Sequence, residues 1–164
     1  HPVPFIMNGR DGKRGAGDDA SFDRIPNGIP GVETRLPLLM SEGVLKGRID
    51  IHRFVELTAT NPARLYGLYP RKGTIAVGSD ADFVVWDVFP QGQEKLLSND
   101  MLHHDADYTP YEGMRLRAWP GLTVSRGRVV WRDGVFQAEP GSGQFLPCLR
   151  PRAPNDGNPL DKWL

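Results

Sequence analysis

The residues best placed to do chemistry here do it through the backbone. Ile25-Pro26-Asn27-Gly28-Ile29-Pro30-Gly31-Val32-Glu33 gathers two prolines, two glycines and an asparagine into a few positions. Pro26 and Pro30 fix φ, whereas Gly28 and Gly31 allow backbone angles that other residues resist. A stiff, closely shaped loop results, whose own N–H and C=O groups can face a ligand. The same composition also serves an ordinary connection into a helix.

Other reactive side chains are less well supported. His103-His104-Asp105-Ala106-Asp107 offers imidazole and carboxylate, the ligands zinc takes. Adjacent histidines in extended chain point to opposite sides, however, and do not easily reach one metal. Cys148, the single cysteine, has no histidine near it in sequence and is a poor nucleophile. Gly9-Arg10-Asp11-Gly12-Lys13-Arg14-Gly15-Ala16-Gly17-Asp18-Asp19 lacks the strand before and helix after that a phosphate cradle needs, and it lacks the EF-hand spacing. It reads as a mobile surface loop. His52 reads as an exposed residue near a helix start.

Several elements must position the loop. A helix is predicted from Gly31 to Met40, with Leu36, Leu39 and Met40 on its buried face and Gly43 as its C-terminal cap. A second helix starts after Asp50, a good N-cap, and buries Ile51, Phe54, Val55 and Thr58. Asn61-Pro62 pairs a cap with proline at the first helical position and opens a short helix ending at Gly67. The period then becomes extended. Gly73 to Asp87 reads as a turn, a tight loop and a buried strand, and residues 88–113 read as irregular. Leu122-Thr123-Val124-Ser125 and Arg128-Val129-Val130-Trp131-Arg132 are strands around Arg126-Gly127, and Asp133-Gly134 turns into Val135-Phe136. Trp86, Trp119 and Trp131 are expected as core or interface anchors.

The 164 residues suffice for one ordinary core, and 39% hydrophobic content suits a globular protein. Lys plus Arg and Asp plus Glu both number 20, so no basic field favours nucleic acid or an anionic membrane. No apolar run has the length of a membrane span, and one cysteine fits a reducing compartment, the cytoplasm. Helices followed by short strands suggest two parts, neither complete in itself. The chain opens at His1 in what reads as a loop, so a portion of a longer or nicked protein is expected.

Four stretches share one resemblance. Pro26-Asn27-Gly28-Ile29-Pro30-Gly31-Val32-Glu33 with Arg35-Leu36 is similar to the loop after the last barrel strand of the hydantoinase and dihydropyrimidinase family of cyclic amidohydrolases. Ala59-Thr60-Asn61-Pro62-Ala63-Arg64-Leu65-Tyr66-Gly67-Leu68, running into residues 73–82, resembles the barrel-to-sandwich passage of the amidohydrolase superfamily. Asp107-Tyr108-Thr109-Pro110-Tyr111-Glu112-Gly113-Met114 and the closing hairpin from Thr123 to Gly134 also resemble that family.

The resemblance implies an α/β fold: the carboxyl-terminal end of a (β/α)8 barrel, part of a β-sandwich domain and an extended C-terminal tail. Residues 1–68 would be the last barrel elements, 69–137 a share of the sandwich, and 138–164 a proline-rich tail at an oligomer contact. It implies hydrolysis of the ring amide of hydantoins or dihydropyrimidines to N-carbamoyl amino acids, with two divalent metal ions, zinc in most members, at the barrel mouth. Their ligands would lie upstream; His1-Pro2-Val3-Pro4-Phe5 resembles the stretch that follows the metal-binding aspartate, so no catalytic residue and no metal ligand carries over onto this chain. Asn27 does carry over: in the family this asparagine binds the cyclic amide through its backbone, and Gly28 permits the close approach. The implied partners are the N-terminal portion of the same enzyme, a small cyclic ureide, and further subunits of a tetramer. A non-catalytic scaffold of the same fold, an allantoinase and a dihydroorotase are the rival readings. The Asp107–Gly113 stretch disfavours the last two, and the intact Pro26-Asn27-Gly28 loop disfavours the scaffold.

Overall fold

Pro30 is buried, and it anchors the loop to the helical segment that follows. The computed structural model describes residues 6–15 and 17–148, which form two compact units. One takes the described residues up to Arg48 together with Val88–Trp119, and the other takes Ile49–Asp87 and the described residues from Pro120 onward. The His1–Phe5 resemblance and the end of the proline-rich tail lie outside the described residues.

In the first unit, α1 (Arg35–Leu38) continues into a π-helical segment, Leu39–Val44. The helix therefore runs past Gly43, the expected cap. It ends where Gly47 (φ 71°) donates to the Val44 carbonyl at 2.9 Å and Arg48 to the Gly43 carbonyl at 2.8 Å. These two bonds satisfy the last carbonyls of the helix in the Schellman pattern. Met40 is buried as expected, but Leu36 and Leu39 are only half-buried, because Thr34, Pro37 and Ser41 share the inward face.

Residues 88–113, expected to be irregular, help to build the core of this unit. β2 (Lys95–Leu96) pairs antiparallel with β3 (Arg115–Leu116), with Lys95 opposite Leu116 and Leu96 opposite Arg115. Leu97 and Leu116 are fully buried beside Trp119, with Leu38, Phe89, Met101, Leu102, Tyr111 and Met114 packed around them. Burying each leucine contributes about 1.5–3 kcal/mol, so three residues anchor a unit with little regular structure. Helix and core are tied by the Ser41 hydroxyl, which accepts the Arg117 N–H at 2.9 Å.

The second unit begins with α2 (Ile51–Val55), capped as predicted by Asp50, whose Oδ1 accepts the Arg53 N–H at 2.7 Å. The expected buried stripe fails at Ile51 (47% exposed) and Val55 (44%). Phe54 alone is buried, meeting Trp86 edge to face at 5.9 Å. Nor does Asn61 cap a separate helix. α2 passes through a π-helical turn, Glu56–Thr60, directly into α3 (Asn61–Leu65), and Asn61 has helical angles (φ −68°, ψ −43°). A wider turn before Pro62 accommodates a residue that has no N–H and would crowd the preceding carbonyls. The helix ends at Gly67, as expected, with Gly67 and Leu68 donating back to Arg64 and Ala63.

Gly73 lies against this helix. Its φ is +81°, and a Cβ there would stand 2.5 Å from the Ala63 Cβ and 2.9 Å from the Ala59 carbonyl. Thr60 Oγ1 donates to the Gly73 carbonyl at 2.7 Å. Lys72 meets Asp80 at 2.9 Å and also bonds Asp82, while Arg71 Nε reaches Asp80 at 3.1 Å. Burial works against the Lys72 charge, but its bonds to Asp82 and Asp80 prevail and raise its pKa. The Lys72 bond, ahead of Arg71, in turn holds the Asp80 carboxyl below the usual carboxylate range.

A four-stranded sheet follows, in the order β1 (Phe83–Val88), β4 (Ala118–Ser125), β5 (Arg128–Arg132), β6 (Val135–Phe136). β1 is not the buried strand expected, since its residues alternate between exposed and half-buried. Both hairpin turns have φ > 0 at two successive residues, Arg126-Gly127 (49°, 76°) and Asp133-Gly134 (48°, 86°). That matches the right-handed twist of the strands they join. A bulge between Thr123 and Val124 leaves Val130 without a Cα partner. Trp131, half-buried, donates Nε1–H to the Pro120 carbonyl at 3.2 Å. Among the described residues, no helix is long and apolar enough to cross a membrane.

Candidate functional site

Asn27, Gly28 and Ile29 are exposed between half-buried Pro26 and buried Pro30. Gly28 has φ +80°, in the left-handed region that a side chain disfavours. Beyond the loop, Thr34 is 1% exposed, with its hydroxyl directed at the Gly31 carbonyl (3.4 Å), and the Arg35 N–H donates to that carbonyl at 2.9 Å. Both ends of the loop are therefore fixed while its middle faces out.

Two contacts that sequence reasoning missed hold this arrangement. Lys13 Nζ donates to the carbonyls of Pro26 and Gly28, the latter at 2.6 Å. Lys13 comes from the Gly9–Asp19 stretch, whose described residues run through hydrogen-bonded turns, with the Lys13 N–H bonding the Ile6 carbonyl at 3.0 Å and the Arg14 N–H the Met7 carbonyl at 2.9 Å. Glu33 supplies the second contact. Its Oε2 accepts the His103 N–H at 2.8 Å, and its Oε1 lies 2.9 Å from His103 Nδ1. Nothing in the spacing of either residue announced its partner, since both contacts form between distant points of the chain.

Among the described residues, the hydrogen bonds of the loop fall on its flanks and on the Pro26 and Gly28 carbonyls, and none on Asn27. Toward the described residues, the N–H and C=O of Asn27 remain uncommitted. Such a pair can dock a group that presents a carbonyl beside an N–H, as a cyclic amide does.

The histidine-rich stretch forms a structural joint. His103 engages Glu33, and His104 Nδ1 accepts the Ala106 N–H at 3.1 Å. Asp107 Oδ1 accepts the Met7 N–H at 2.7 Å. Burial, with Asp107 nearby, raises the Tyr108 pKa. Among the described residues, no three His, Cys, Asp or Glu side chains come together in a way that could hold a metal ion, so these residues do not fit a metal pair. Cys148 is exposed and free.

Comparison with known proteins bears on this geometry. Residues 5–130 match the model of the amidohydrolase family. The chain is 49% identical over 125 residues to a D-phenylhydantoinase of Escherichia coli, an alignment covering 76% of this chain and 26% of that protein. It is 45% identical over 126 residues to dihydropyrimidinase 2 of Caenorhabditis elegans, covering 77% of this chain and 24% of the relative. Its structure is similar to a D-hydantoinase (dihydropyrimidinase) from Thermus sp., with a TM-score of 0.75, 46% identity, and coverage of 83% of this chain and 29% of that one. The chain thus spans about a quarter of the length of the curated relatives it matches.

Proposed function

The chain belongs to the amidohydrolase family, and from that premise we propose that it is the carboxyl-terminal portion of a metal-dependent hydantoinase or dihydropyrimidinase. The whole enzyme would open the ring amide of a hydantoin or dihydropyrimidine to give an N-carbamoyl amino acid. The observation that carries this reading is 49% identity to a D-phenylhydantoinase across three quarters of the chain. On this reading residues 1–68 are the last barrel elements, 69–137 a share of the sandwich, and 138–164 a tail packed across a tetramer interface. The enzyme would work in the cytoplasm. The divalent metals, zinc on the family resemblance, would be held by the part of the enzyme that precedes this chain.

What this chain supplies is the substrate-facing loop. The Asn27 N–H would donate to a ring carbonyl, and the Asn27 C=O would accept from the ring N–H. A fixed backbone pair aligns the ring without ordering a mobile side chain, which keeps the entropic cost of binding low. The Asn27 backbone, without a hydrogen bond to any described residue, and the left-handed turn at Gly28 support that role.

Metal content and ring-opening rate test the proposal, measured on the chain alone and on the chain joined to the metal-binding portion of a hydantoinase relative. Metal and turnover are expected only in the joined protein. Turnover by the chain alone would overturn the reading, as would a joined, metal-loaded protein that opens no cyclic ureide.

A further inference from the structure

The two carbonyls that Lys13 grips belong to the residues on either side of Asn27. An ammonium is a compact point charge with three donors, so both carbonyls must turn toward one spot. In a trans peptide unit the N–H points opposite to the C=O. Holding the Pro26 carbonyl toward Lys13 therefore sends the Asn27 N–H to the other side. The Gly28 carbonyl, held by the same ammonium, fixes the next peptide but one, so the Asn27–Gly28 peptide, with its carbonyl, is tethered on both sides across the left-handed turn at Gly28. The cation has a second effect. A charge-assisted bond to the Pro26 carbonyl polarises the Pro26–Asn27 amide and strengthens its N–H as a donor.

We infer that Lys13 is a positioning residue for substrate: by bridging the Pro26 and Gly28 carbonyls it fixes the peptides on either side of the Asn27–Gly28 peptide, turns the Asn27 N–H to the face away from the ammonium and sharpens that N–H toward a ring carbonyl. This inference rests on the reading of the Asn27 loop proposed above. A lysine that merely joined two surface turns could engage any exposed carbonyl. This one engages the two that fix the orientation of the residue between them.

The test is steady-state kinetics of the complete enzyme on a 5-substituted hydantoin, with metal content and thermal midpoint measured on every variant. Lys13→Met removes the donors at similar size and is expected to raise KM about tenfold, equivalent to ~1.4 kcal/mol. Metal content should not change. Lys13→Arg, whose fork can also reach two carbonyls, should bring KM back to within about threefold of the parent, ~0.65 kcal/mol. Gly28→Ala serves as the comparison that deforms the loop while the lysine side chain is retained. If Gly28→Ala raises KM and Lys13→Met does not, the role of Lys13 is overturned and the loop reading stands. If neither changes KM, the loop reading fails and this inference with it. Equal damage by Met and Arg, with metal lost, would show a purely structural residue and also overturn the proposal. Should Lys13→Met fail to fold, Lys13→Gln keeps N–H donors without the charge: an intermediate KM supports the inference, and the parental KM overturns it.

Discussion

Replacing Gly28 with alanine separates a backbone contact from a side-chain contact, when set beside Asn27→Ala. Gly28 stands at φ +80°, where an L-residue with a Cβ costs roughly 1–2 kcal/mol. The loop has two ways to absorb that cost. It can keep its shape, with the strain lowering the stability of the enzyme. Alternatively it can rotate Gly28 out of the left-handed region, which swings the Asn27–Gly28 peptide and misaligns the docking pair. Pro30 is buried and Pro26 half-buried on either side, so little of the rotation can spread outward and most of it must fall on Asn27 and Gly28. The penalty then appears in substrate binding as a 5–30-fold rise in KM, the factor equivalent to ~1–2 kcal/mol. Asn27→Ala leaves that backbone in place and removes only an exposed side chain, so its KM should stay within about threefold of the parent. The assay is ring opening of a 5-substituted hydantoin by the complete, metal-loaded enzyme. A larger loss for Asn27→Ala than for Gly28→Ala would refute the reasoning, because it would move recognition from the backbone to the amide side chain. A parental KM and thermal midpoint for Gly28→Ala would refute it from the other direction.

Other substitutions probe the frame. Gly73→Ala must adopt φ +81° and place a Cβ 2.5 Å from that of Ala63; it should destabilise by at least ~2 kcal/mol in thermal unfolding, and parental stability would show that the turn relaxes freely. Leu116→Ala empties a fully buried position in the Leu97–Trp119 cluster and should cost about 2–5 kcal/mol, read as a lower denaturation midpoint. Asp80→Asn should remove an acid-sensitive contribution. The Asp80 pKa in the folded protein lies below the ordinary 3.8, so its stabilisation is present above that value and is lost as pH falls through the lower folded value. The stability gap between parent and variant should be constant near neutrality and close only below about pH 4, and a gap that grows on acidification would contradict the assignment.

What could be read from sequence was local. Asp50 is a cap because its side chain bonds a backbone N–H three residues on, and Arg126-Gly127 and Asp133-Gly134 are turns because their own φ preferences suit them. The Pro26–Gly31 loop was equally visible, since proline and glycine state their constraints directly. Where the sequence misled, a distant partner or a non-standard turn had decided. Gly43 looked like a cap, but the helix unwinds into a π-helical segment and terminates at Gly47 instead. Asn61-Pro62 looked like a helix start, but a wide turn lets the chain pass through. Residues 88–113 lacked periodicity, yet Leu97 in that span is fully buried because β2 and β3 close around it. Lys13 was hidden for the same reason: nothing near it in sequence says which carbonyl it will reach.

The discontinuity of the first unit has a consequence for how the protein is made. Its helix and loop leave the ribosome before residues 88–119, which supply the partners that complete them. Glu33 waits for His103, Met7 for Asp107, and Leu38 for Leu97 and Leu116. The residues between, Ile49–Asp87, belong to the other unit and emerge in the interval. At a synthesis rate of about 5–20 residues per second, the Pro26–Gly31 loop is translated seconds before the far side of its frame exists. This unit can therefore complete its frame only after residues 88–119 have emerged. A pause or break in translation within residues 49–97 would leave the nascent loop and helix without their core, open to chaperones and proteases.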